Sequence, residues 1–147
     1  MKKKIIIING PNLNLLGSRE KNIYGNNSLE DIKDRSITKA SELNLDCSFY
    51  QTNNEGDLIT YIQSAESKYD GLIINPAAFT HTSIAILDAL RALSIPKIEI
   101  HLSNIYTREE YRKKSITSEG VNGLICGFGA ISYILGIEAI SKLIYNK

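Results

Sequence analysis

The chain has 147 residues and a mass of 16.4 kDa, with 43% hydrophobic and 22% charged residues, which suits one globular domain spanning 1–147 with a single sizeable core. Its formal net charge of +1 argues against a nucleic-acid footprint or an acidic interaction tail. No run approaches the roughly 18 apolar residues of a membrane span, so no membrane partner is expected.

The elements follow in chain order. Met1-Lys2-Lys3-Lys4 resembles the charged start of a secretion signal, but its apolar run is only Ile5–Ile8 and Asn9-Gly10 ends it. That run reads instead as a first buried strand. Ser28-Leu29-Glu30-Asp31 opens a helix to about Leu43, with Ser28 as N-cap and acids in the first turn. A more polar strand is expected over Asp46–Tyr50. A helix follows from Asp57 to about Lys68, with Leu58, Ile59, Ile62 and Ala65 on one stripe. Leu72–Ile74 reads as a third strand, Ser83 to about Leu93 as an apolar helix, and Ile98–Leu102 as a fourth strand. Leu124–Cys126 is the fifth, and a helix from Ala130 to about Tyr145 closes the chain. Alternating strands and helices predict an α/β, flavodoxin-like, three-layer sandwich with a five-stranded parallel sheet. Cys47 and Cys126 lie far apart in sequence and read as reduced thiols of a cytoplasmic protein.

In such sheets ligands bind beyond the carboxyl ends of the strands. Strand one runs into Asn9, Asn12, Asn14, Arg19 and Tyr24; strand three into Asn75-Pro76 and His81; strand four into His101, Ser103 and Asn104. A small-molecule site on that rim is the expectation. Each residue also has a plainer role available: Asx-turns for Asn12 and Asn14, a turn for Asn75-Pro76, a helix start for His81. On a strand of period two Glu99 and His101 share a face, so the carboxyl can reach and orient the imidazole. Asp88, on an apolar helix, can pair with Arg91 on its surface or meet another subunit. The loop after strand one is no phosphate cradle, since Gly10 and Gly17 are spaced too widely and no Walker lysine follows. A metal hydrolase built on His81, Glu99 and His101 stays open, without an HxxxH or HxH pair to support it. A non-catalytic binding module on the same fold is the other alternative.

Taken together, Ile5–Gly17 ("IIIINGPNLNLLG"), Tyr24-Gly25, Asn53-Asn54-Glu55-Gly56, Ile74–Ser83 ("INPAAFTHTS"), Glu99–Asn104 ("EIHLSN") and Gly127-Phe128-Gly129 resemble the type II 3-dehydroquinate dehydratases of the shikimate pathway. The resemblance implies a hydro-lyase that turns 3-dehydroquinate into 3-dehydroshikimate through an enolate, with no cofactor, no metal and no Schiff base. It implies Tyr24 as general base, Arg19 beside it, Asn12 at the enolate oxygen through a bound water, and His101 as general acid backed by Glu99. Asn75, His81, Arg112 and Leu102–Ser103 would hold the substrate's carboxylate and hydroxyls. Asp88 would serve a neighbouring subunit in a dodecamer of four trimers. Arg19 and Tyr24 lie in a Gly-flanked loop that reads as a lid. Where the family usually has proline this chain has Lys21, which should make the lid costlier to order by roughly 0.5–1 kcal/mol. Lys113-Lys114 stand where histidines are common.

Overall fold

Four runs rich in isoleucine and leucine, with the more polar Leu45–Gln51, become five parallel strands, β1 Lys3–Asn9, β2 Leu45–Gln51, β3 Gly71–Asn75, β4 Lys97–His101 and β5 Gly123–Cys126, in the order β2-β1-β3-β4-β5. The computed structural model describes residues 2–18 and 20–146, and of Lys21 only the backbone. Arg19 therefore lies outside the described residues. The helices are α1 Lys21–Tyr24, α2 Leu29–Glu42, α3 Glu55–Lys68, α4 Ile84–Arg91 and α5 Ile131–Tyr145. The expected α/β sandwich is what forms.

Strand period two sorts the core into two layers. Ile5, Ile7, Ile73, Ile98 and Ile100 face α2 and α5, packing on Ile32, Ala40, Tyr133, Ile137 and Ile140. Ile6, Ile8, Leu72 and Ile74 face α3 and α4, packing on Leu58, Ile62, Ala65, Ile86 and Leu90. Ile5 to Ile8 are all at most 1% exposed, and full burial contributes roughly 1.5–3 kcal/mol for each such side chain. An uninterrupted apolar run is thus required, because both faces of β1 are covered.

Helix ends follow the capping chemistry. Ser28 and Asp31 form a reciprocal capping box at α2, with Asp31 N–H donating to Ser28 Oγ (3.1 Å) and Ser28 N–H to Asp31 Oδ2 (3.2 Å). Ser28 is the cap that the sequence predicts. The third helix starts two residues before its expected Asp57, because Asn54 accepts from Asp57 N–H (3.1 Å) and caps it. Ser83 caps α4 through Ile86 N–H (2.9 Å). These caps bring the chain to the helices from the carboxyl edge of the sheet. The polar loops therefore gather on one rim.

Candidate active site

The ends of β1 and β3 are drawn together first. Gly10 N–H donates to the Asn75 carbonyl (2.8 Å), and a Cβ on Gly10 would overlap the Pro76 carbonyl. Only glycine allows this approach, and it sets the loop after β1 against the turn after β3. Asn12 stands in the left-handed region (φ 69°), and its N–H donates to Asn53 Oδ1 (2.9 Å). Asn14 Oδ1 accepts from Gln51 Nε2 (3.4 Å), so it braces the loop and does not line the cavity.

A cavity of about 650 Å³, counting the space at its open mouth, lies on this rim. Asn12, Tyr24, Asn75, His81, His101, Leu102, Ser103 and Arg112 all line it, together with Arg108. Eight residues proposed from sequence therefore meet at one place. Glu99 sits behind the wall, fully buried, and Asp88 is exposed on α4 away from the cavity. Arg91 does not need Asp88, since it approaches Glu119 (3.8 Å). Among the described residues the wall carries two arginines and two histidines and no carboxylate, so it suits an anion even though the chain is nearly neutral.

Two hydrogen-bonded pairs stand at this cavity. His101 closes β4, and its Nε2–H donates to Glu99 Oε2 (2.7 Å), as period two predicts. That carboxyl also accepts from Ser115 Oγ (2.8 Å, at Oε2) and Thr117 Oγ1 (2.5 Å, at Oε1). Three donors on one buried carboxyl fit an acceptor-only carboxylate, which fixes the His101 ring and leaves Nδ1 as its exchangeable nitrogen. On the other pair, Arg108 Nη2 donates to Tyr24 Oη (3.0 Å), and its guanidinium carbon lies 5.2 Å from the Tyr24 ring centre. Arg108 Nη1 donates to Ser103 Oγ (3.1 Å). Tyr24 stands on α1, one helical turn closed by Tyr24 N–H to the Glu20 carbonyl (3.0 Å). Lys21 is the first residue of that turn, where proline fits without losing a needed N–H.

His81 ends a 3-10 turn, Ala77–His81, where its Nδ1 must donate to the Lys114 carbonyl (2.7 Å), leaving Nε2 as acceptor. Burial is the largest cause lowering its pKa, outweighing the Lys114 hydrogen bond that raises it and helped by the nearby Arg112 charge, so the neutral ring is favoured. Arg112 is held by Glu109 (Nε to Oε2, 2.5 Å) and lies over the Tyr111 ring (5.3 Å). Among the described residues no three His, Cys, Asp or Glu side chains cluster as metal ligands. No described helix is long and apolar enough to cross a membrane.

Sequence reasoning missed Arg108, Ser115 and Thr117. Arg108 follows the end of β4 by seven residues, and a second arginine four residues before Arg112 was the available signal. Nothing local marks Ser115 or Thr117, which reach Glu99 across 16 and 18 residues.

The chain matches the family model described as dehydroquinase class II over residues 3–141. It is 54% identical over 144 residues to the 3-dehydroquinate dehydratase of Clostridium botulinum (strain Kyoto / Type A2), covering 97% of this chain and 98% of the relative. It is 53% identical over 136 residues to the 3-dehydroquinate dehydratase of Prochlorococcus marinus (strain NATL1A), covering 92% and 94%. Its fold is similar to the crystal structure of the type II dehydroquinase from Butyrivibrio crossotus, with a TM-score of 0.92 at 47% identity, covering 95% and 97% of the two chains. With its fold, its cationic cavity and a family match that spans nearly every residue, this chain belongs to the class II dehydroquinases.

Proposed function

We propose that this chain dehydrates 3-dehydroquinate to 3-dehydroshikimate through an enolate, with Tyr24 as general base and His101 as general acid. Family membership makes it a hydro-lyase of the shikimate pathway. The observation that carries the finer reading is that Tyr24 with Arg108, and His101 with Glu99, line or back one cation-rich cavity.

The proton to be removed lies α to a ketone, so its loss generates an enolate. A phenol free in water is ionised to about 1 part in 1000 at pH 7, which corresponds to roughly 4 kcal/mol against its use as a base. A guanidinium some 4 Å from the phenolate oxygen contributes about 4 kcal/mol at an effective dielectric near 20. Arg108, at hydrogen-bond distance from Tyr24 Oη, supports this role, and the family resemblance assigns Arg19 a share of it. Asn12 meets the enolate oxygen through a bridging water. The enolate then collapses, the C–O bond to the hydroxyl breaks, and the His101 imidazolium gives its Nδ1 proton to the departing group. Water leaves, and Glu99 holds the ring throughout. Asn75, neutral His81, Arg112 and Ser103 with the Leu102 backbone hold the substrate's carboxylate and ring hydroxyls.

The loop bearing Arg19 and Tyr24 is the lid of this site, and 1–147 is one catalytic domain. Asp88, outside its own cavity, acts in a neighbour's site within a dodecamer of four trimers in the cytoplasm. Catalysis uses no cofactor and no imine. Incubation with borohydride and 3-dehydroquinate tests this: the formation of enone absorbance continues undiminished if no imine forms. Progressive inactivation with substrate mass added to a lysine would refute it.

A further inference from the structure

We infer that the Tyr133 hydroxyl is a positioning group for the reaction: it locks the amide of Asn75 in one orientation, so that Asn75 meets the substrate as a hydrogen-bond donor. The inference rests on the reading above, in which Asn75 contacts the substrate. Tyr133 lies on α5 and is fully buried. Its hydroxyl sits between two asparagines that are register partners on adjacent strands, Asn9 of β1 and Asn75 of β3.

The orientation of every group in this chain is dictated from both ends. Asn9 Nδ2 donates to the Tyr50 carbonyl (2.9 Å), and a carbonyl can only accept. Asn9 therefore turns Oδ1 toward Tyr133, which must donate to it (2.5 Å). The Tyr133 oxygen is then left as an acceptor, and Asn75 Nδ2 donates to it (2.9 Å). At the far end the Ala77 N–H can only donate, and it reaches Asn75 Oδ1 (3.2 Å). A flipped Asn75 would place Oδ1 against a hydroxyl with no proton to offer and Nδ2 against an N–H. One assignment alone satisfies both ends, because each backbone group has a fixed polarity.

Two consequences reach the cavity. Asn75 is 2% exposed and lines the wall, and with one Nδ2–H on Tyr133 and Oδ1 on Ala77 the second Nδ2–H is what its amide has left to offer a hydroxyl or carboxylate oxygen. The Asn75–Ala77 bond also supports Ala77 in the left-handed region (φ 54°), a conformation that costs alanine energy, at the start of the turn that ends in His81. Loss of the hydroxyl lets the Asn75 amide flip and loosens this turn.

The test is a double-mutant cycle on kcat/KM for 3-dehydroquinate with Tyr133→Phe, Asn75→Ala and the double variant, each checked by circular dichroism and melting. Tyr133→Phe should lower kcat/KM about tenfold, mainly through KM, in the wild-type background and less than about twofold in the Asn75→Ala background. An equal loss in both backgrounds, or no loss in either, overturns the positioning role. Full activity of Asn75→Ala would instead overturn the contact between Asn75 and substrate, and the inference with it. If Tyr133→Phe does not fold, the nitrogen-15 spectrum of the wild type decides, with the Asn75 side-chain pair assigned by its absence in Asn75→Ala. One N–H should be protected from exchange in the free protein, and the other should shift on adding 3-dehydroshikimate. Rapid exchange of both, or a shift in neither, overturns the proposal.

Discussion

Replacing Thr117 with valine removes a hydroxyl and keeps nearly the same volume at a site with no solvent exposure. The hydroxyl donates to Glu99 Oε1 at 2.5 Å, while His101 and Ser115 both use Oε2. Valine therefore leaves one oxygen of a buried carboxylate without its donor. A hydrogen bond to a charged group contributes about 1.5–3 kcal/mol net, so a loss near 2 kcal/mol is expected. For a chain of 147 residues this corresponds to a melting temperature lower by about 4–8 °C. Turnover should suffer less, by under about tenfold, because two donors still hold Glu99 and through it the His101 ring. Urea titration and thermal melting followed by circular dichroism measure the first effect, and steady-state kinetics the second. A melting shift below about 1 °C would show that Thr117 does not hold the Glu99 carboxyl as described.

Arg108→Met keeps the length of the side chain and removes the charge beside Tyr24; kcat should fall on the order of 10²-fold with the melting temperature little changed, and near-normal turnover would remove Arg108 from the base machinery. Gly10→Ala should reduce activity and stability together, because the new methyl meets the Pro76 carbonyl and parts the ends of β1 and β3; a fully active variant would show that this contact yields freely. His81 favours its neutral form when folded, so the unfolded chain takes up this proton at a higher pH than the folded one. Its contribution to stability is therefore present above about pH 6.5 and is lost as pH falls through the lowered folded value. The urea midpoint should drop less between pH 8 and pH 5.5 in His81→Gln than in the wild type, and equal drops would contradict the sign.

Local chemistry made much of this legible. The four isoleucines of β1 need burial on both faces, which a parallel sheet provides. Period two alone puts Glu99 beside His101, and the Ser28 cap follows from its side chain and the acids behind it. The switch-point rule placed the polar strand ends on one rim, where most of them do line the cavity. What stayed hidden depends on contacts distant in sequence. Arg108 lies 84 residues from Tyr24, in irregular backbone between two short 3-10 turns, where no periodicity gives direction. Tyr133 reads as one more apolar residue of a core helix until the fold brings Asn9 and Asn75 to its hydroxyl. Arg19 lies outside the described residues, and an acid on an apolar helix was the one signal behind the subunit role proposed for Asp88.

The most direct test of the central claim is the turnover of 3-dehydroquinate by Tyr24→Phe against wild type, followed as the rise in enone absorbance, with folding checked in both. If the phenol oxygen is the base, wild type turns over and Tyr24→Phe, folded and still able to bind 3-dehydroshikimate, loses at least about 10²-fold in kcat. A folded Tyr24→Phe with turnover close to wild type would contradict the assignment and transfer the base role to another group lining the same cavity.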